Sequence, residues 1–314
     1  MATRKTTTKA KSKTTKKPAT NARSAAAKSA RATKSAKTTK PVAKKATVVK
    51  TTTAVKIKSA QITTDALRKL NLITAFVLAA LAVAAGMLMN SASYALNIGY
   101  QGKDELVSLT SGKTAFVHAS QSVADVQVKW FLVTILGLAV LFSLLNATRM
   151  RRKYEANLDD GVSAWRWIAI GVTSGLMLEL VALLGGVSDI MTLKLISGLI
   201  FVTCALGWVA EKRNKQAGRP AWSEFVISLF TGSLPWLLIV SYAVFTWTHG
   251  LIRYSWFVYA LHAALLVGFI LLTINQYKRI GGWKNTRVVE RNYLLIGFAT
   301  KVAFAAILIL AFQK

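Results

Sequence analysis

From about Leu70 onward the chain is built of long apolar blocks separated by short polar stretches. Seven blocks stand out, at about 69–91, 127–148, 164–186, 191–210, 223–246, 255–275 and 291–312. Each is long enough to cross a bilayer as a helix, since about 20 residues rising about 1.5 Å each cover a hydrocarbon core of about 30 Å. The pattern predicts an all-α membrane protein with seven transmembrane helices. One connection reads differently. Between Asn90 and Val126 the residues alternate and include turn formers (NIGYQGKDELVSLTSGKTAFVHAS), which predicts a short β-hairpin between the first and second helices, with GYQGKD or TSGK as its turn.

Residues 1–60 follow neither pattern. They are Lys, Ala, Thr and Ser with Pro18 and Pro41, a composition that buries too little apolar surface to offset the entropy of ordering, so a disordered tail is expected before a membrane domain at 61–314. The charge belongs to this tail. Of the net +29, residues 1–60 supply 18 Lys or Arg and no Asp or Glu. Such a segment is attracted to anionic lipid or, without sequence preference, to nucleic acid, and it can equally be a solvated tail that fixes orientation. The remaining basic residues alternate along the chain. Arg149, Arg151, Arg152 and Lys153 follow the second block, Lys212, Arg213, Lys215 and Arg219 the fourth, and Lys278, Arg279, Lys284, Arg287 and Arg291 the sixth. By the positive-inside rule these loops and the N-terminus face the cytoplasm, while the hairpin and the C-terminus lie outside the cell membrane.

Little conventional chemistry is present. There is no HExxH, Walker-type or GxSxG motif, Cys204 reads as a small buried hydrophobe, and His118 has no second ligand beside it. One residue is out of place: Lys301, near the middle of the last block (NYLLIGFATKVAFAAILILAF). A lysine at the centre of a membrane helix costs about 2.5–3.5 kcal/mol on insertion scales, so a reason for it is expected. It can pair with a buried carboxylate, face a watery ion path, or be capped covalently as a Schiff base with an aldehyde.

Finer motifs separate these readings. The second-to-third connection reads YEANLDDGVSAWRWI, the third helix ends LLGGVSDI, the fourth ends GWVAEKRN and the fifth carries SLPWLLIVSY. The sixth begins FVYA and runs to NQYKRIGGWKN, the seventh opens VERNYLLIGFATK, and the first starts LRKLNL. In this order and spacing the chain resembles heliorhodopsins from Leu67 to Phe312. The resemblance implies a seven-helix rhodopsin-like bundle with a cytoplasmic N-terminus. It also implies all-trans retinal bound covalently to Lys301 as a Schiff base, and an assembly that is commonly a homodimer. Its function would be light sensing or regulation through a signalling partner, rather than ion pumping or enzymatic catalysis. It places pocket walls at Trp236, Met177 and Phe269.

The chain also departs from the family pattern. Heliorhodopsins place a glutamate two positions after the Arg-Trp pair of the third helix; here Arg166 and Trp167 are followed by Ile168 and Ala169. The family's polar cavity positions fall on Leu78, Leu81 and Ser143, and a serine one turn before the lysine becomes Gly297. A largely apolar pocket is therefore expected, with Thr173 and Ser174 the nearest hydroxyls. Glu179 lies ten residues beyond Ala169, about 15 Å along a helix, too far to replace a carboxylate there. Glu211 and Glu290 sit at block ends near basic loops, where interfacial ion pairing is expected, and His262 reads either as a hydrogen-bonded core residue or as a neighbour of the Schiff base. A buried cation without a carboxylate is disfavoured, so the expectation is a neutral, ultraviolet-absorbing pigment. The alternative is a light-insensitive relative whose bundle anchors the basic tail or a partner in the membrane.

Overall fold

The computed structural model describes residues 62–220, 222–249 and 255–314, so the basic tail expected over 1–60 lies outside the described residues. Among the described residues seven helices are long and apolar enough to cross a membrane. They are α1 (Thr64–Leu88), α3 (Val128–Ala147), α5 (Ala164–Leu184), α6 (Ile190–Ala217), α7 (Trp222–Thr248), α8 (Ser255–Lys278) and α9 (Thr286–Ala311). Every predicted block corresponds to one of them. Their ends differ where polar residues continue a helix past its apolar stretch: α6 runs through EKRNKQA until Gly218 adopts a left-handed conformation (φ 65°), and α9 starts at a cap where Arg287 N donates to Asn285 Oδ1 at 2.9 Å.

The hairpin is longer than expected and turns elsewhere. β1 (Ser93–Asp104) and β2 (Ala115–Gln127) pair antiparallel from Ser93↔Gln127 to Asp104↔Ala115. The GYQGKD segment is therefore paired strand, not turn. The strands are joined by a short helix, α2 (Glu105–Ser111), because Asp104 caps it by accepting from Val107 N at 3.0 Å and Gly112 ends it at φ 66°. The TSGK stretch is its exit. The hairpin is seated on the loop between α5 and α6, where Asn97 N donates to Ser188 O at 2.9 Å and Gly99 N to Asp189 Oδ1 at 3.4 Å. A further helix, α4 (Arg151–Asp159), lies between α3 and α5, in a stretch with no apolar block to betray it.

α5 is the most buried span, packed against α3, α6 and α8, while α1 packs against α3 and α9. Leu78, Leu132, Ile135, Leu180 and Phe304 form the centre of the core. The outer faces stay apolar, with Phe76, Phe230 and Leu310 exposed, as expected of surfaces solvated by lipid. Close approach of α5 and α6 relies on small residues. A Cβ added at Gly207 would meet the Trp167 ring at 2.6 Å. Two stability predictions follow from this packing. Gly207→Ala should cost about 1–3 kcal/mol by forcing that buried indole to move, read as a lower thermal unfolding midpoint in detergent. Asp189 caps α6 by accepting from Thr192 N at 2.7 Å, and the Thr192 bonds hold its carboxyl below the usual carboxylate range. A depressed carboxylate contributes stability above its unfolded pKa and loses it as the pH falls through the folded one. Asp189→Ala should therefore cost about 1 kcal/mol near neutrality, and its melting curve should converge on the wild-type curve in acid.

Candidate functional site

Lys301 lies midway along α9, partly buried, with its Nζ 3.4 Å from the carbonyl oxygen of Gly297 one turn earlier. It stands where two kinds of space meet. Toward the end of the bundle that carries the basic loops is a cavity of about 70 Å³, walled by Asn71 and Thr74 of α1, Ser143 and Asn146 of α3, and Ala169 and Thr173 of α5. Arg166, Glu290 and Gly297 also line it. On its other side Lys301 borders a void of about 30 Å³ with Ser174, Met177, His262, Phe269 and Thr300. Ser174, His262 and Phe269 line in turn an apolar cavity of about 160 Å³ that reaches Trp236 and Gly232 of α7 and Gly207 of α6. This apolar slot thus shares its wall with the void that Lys301 borders.

The charged part of the site is centred on Arg166, in the first turn of α5 and 3% exposed. Its Nη2 pairs with Glu211 of α6 and its Nη1 with Glu290 of α9 at 2.6 Å. Glu211 also accepts from Ser163 N at 3.0 Å, Trp167 Nε1 at 2.9 Å and Gln276 Nε2 at 2.6 Å, while Glu290 accepts from the Tyr154 hydroxyl at 3.0 Å. The guanidinium lies 4.6 Å from the centre of the Tyr293 ring. With one cation between two carboxylates, every member is paired, which is the condition for tolerating charge at this depth. Tyr154, at the edge of this cluster in α4, has its hydroxyl pKa pushed up, first by burial and then by the Glu290 carboxylate.

Lys301, Thr173, Gly297 and Ala169 line the 70 Å³ cavity, Met177 lines the small void, Phe269 lines the void and the slot, and Trp236 lines the slot. The seven residues singled out in the sequence thus line three neighbouring cavities that share walls. Thr173 Oγ1 donates to Ala169 O at 2.7 Å along its own helix. Glu179 faces α6, where it accepts from Lys194 Nζ at 2.6 Å, and no ion pair to Lys301 is present among the described residues. Two expectations need correction. The surroundings of Lys301 are largely apolar, as expected, but Thr173 and Ser174 are not the only polar groups there: Asn71, Thr74 and Asn146 of α1 and α3 also line the cavity it borders. Glu211 and Glu290 do form the expected ion pairs at their helix ends, but inside the bundle and with Arg166 rather than with the loop residues: they are 4% and 1% exposed. The available signal was Arg166 itself, a cation inside an apolar block, which requires buried partners.

Seven spans closed around a lysine that opens on a hydrophobic slot define a rhodopsin-like membrane protein. A family model described as heliorhodopsin matches residues 67–311, and the chain belongs to that family, whose members are retinal-binding photosensors and not enzymes. None of the curated proteins matches the chain. For the charge cluster the expected ordering is clear. Arg166→Gln strands two buried carboxylates and should cost about 3–5 kcal/mol, whereas Glu290→Gln leaves Arg166 paired with Glu211 and should cost less. Thermal unfolding of the two variants in detergent measures the difference, and equal losses would contradict the pairing described.

Proposed function

We propose that Lys301 carries all-trans retinal as a Schiff base and that the protein is a light sensor acting through a signalling or regulatory partner. The observation that supports this most is the position of the amine at the mouth of an apolar slot, rather than in an ion pair or against packed side chains. When bound, retinal supplies absorption of light and isomerisation. The chain's own residues supply the rest. Trp236, Phe269 and Met177 wall the slot and exclude water, while Ala169, Thr173 and Gly297 surround the nitrogen. In the free lysine the carbonyl oxygen of Gly297, 3.4 Å away, accepts from it. Ion pumping is disfavoured because the buried carboxylates near the site, Glu211 and Glu290, are both engaged by Arg166. The positive-inside distribution of the loops favours a cytoplasmic N-terminus in the cell membrane, with a homodimer as the family-level expectation.

Ala169 sets the colour. With no carboxylate beside the nitrogen, the neutral form is favoured at pH 7, and absorption should lie mainly in the near ultraviolet, with a visible band growing in acid. The same absence favours the second reading, a light-insensitive membrane anchor. Purified full-length protein incubated with all-trans retinal and reduced with borohydride separates them. The expected result is a stable adduct on Lys301, lost in Lys301→Ala, from a species absorbing mainly in the near ultraviolet before reduction. No adduct would overturn the photoreceptor reading, and a visible band at neutral pH that does not respond to acid would overturn the colour assignment.

A further inference from the structure

His262 of α8 is 6% exposed and lines both the small void beside Lys301 and the larger apolar slot. Its ring packs edge-on against Phe304, one turn after Lys301 on α9, with centroids 5.0 Å apart. Its Nδ1 lies 2.9 Å from Val258 O. A carbonyl oxygen only accepts, so Nδ1 carries the proton, and in the neutral ring Nε2 is left as a pure acceptor. Nε2 is buried and has no hydrogen-bond partner among the described residues. A buried acceptor without a donor is rare enough in folded proteins to call for an explanation.

A donor shares its void. Lys301 Nζ has only the long contact to Gly297 O among the described residues, and the void of about 30 Å³ that Lys301 and His262 both border is large enough to hold a water. The hydroxyl of Thr300, which borders the same void, is already used on Ile296 O at 2.5 Å. Around the lysine the other titratable or charged groups are Arg166 of α5 and Glu290 and Tyr293 of α9, all across the polar cavity, and there α1 and α3 contribute only amides and hydroxyls. Around the slot they are Cys204 of α6 and Tyr277 of α8.

We propose that His262 Nε2 is the hydrogen-bond acceptor for the Lys301 nitrogen through one water seated in the void that both border, filling the role that a carboxylate at position 169 would otherwise take. The proposal rests on Lys301 being the retinal-bearing residue. An acceptor-only imidazole favours the form of the linkage that carries an N–H, because two facing lone pairs with no proton between them gain nothing. His262 therefore sets how much of the pigment absorbs in the visible at a given pH.

The test compares full-length wild type, His262→Phe and His262→Gln, with folding checked by size exclusion and thermal melting. Borohydride trapping and intact mass should report the Lys301 adduct in all three. In His262→Phe the acid transition from near-ultraviolet to visible absorption should move about one pH unit or more to lower pH, a roughly tenfold loss of proton affinity, while His262→Gln, which keeps an acceptor, should stay closer to wild type. An adduct in both wild type and His262→Phe with superimposable transitions overturns the proposal and leaves the retinal assignment standing. A wild type that forms no adduct overturns the assignment. In that case nitrogen-15 NMR of histidine-labelled, retinal-free protein decides the contact: the His262 Nε2 resonance should shift in Lys301→Met, and an unchanged resonance rules the hydrogen bond out.

Discussion

A guanidinium buried between two carboxylates fixes the geometry on which the rest of this bundle depends. Nothing in a hydrocarbon environment solvates Arg166, so Glu211 of α6 and Glu290 of α9 must approach α5 closely enough to pair with it, and Gln276 of α8 and Tyr154 of α4 donate to those two carboxylates in turn. Five helices are thereby referenced to one side chain. A buried ion pair adds little net stability compared with well-packed apolar residues, but breaking it is costly, so its effect is on position more than on strength. Positions three and seven residues beyond Arg166 share its face of the helix, and these are Ala169 and Thr173, which line the cavity next to Lys301. The rotation that seats the arginine also turns this face toward the lysine.

The site has two unlike halves. On the side of the charge cluster the lysine meets amides and hydroxyls brought by α1 and α3; on the other it meets Met177, Phe269 and, further on, Trp236. An amine at that boundary can keep its polar end in one environment and project an apolar substituent into the other. Under the proposed function, this division is what suits Lys301 to an apolar aldehyde.

Much of this was legible in the sequence because the membrane simplifies the code. A span must be apolar for its whole length, so seven spans and an anomalous lysine could be read directly, and motif order singled out Trp236, Met177 and Phe269, which line the slot or the void beside Lys301. The misses have definite causes. Hydropathy registers where lipid ends and not where a helix ends, so the polar turns of α6 and α9 were lost. Glycines in GYQGKD suggested a turn, but the local cap at Asp104 moved the reversal to α2. The pairing of Arg166 with residues 45 and 124 positions away, and the loose end of His262, are products of packing that no local pattern encodes.

Pro235 lies inside α7, directly before Trp236. Having no N–H, it leaves the carbonyl of Thr231 without its usual intrahelical donor and makes this the softest point of the helix. Trp236, in the wall of the slot, thus sits next to this missing hydrogen bond, and the neighbouring Leu234, Leu237 and Val240 look outward, at 37%, 65% and 52% exposure. The interrupted turn of α7 therefore joins the inner wall of the slot to an outer face that lipid covers, so a shift at Trp236 need not stay inside the bundle.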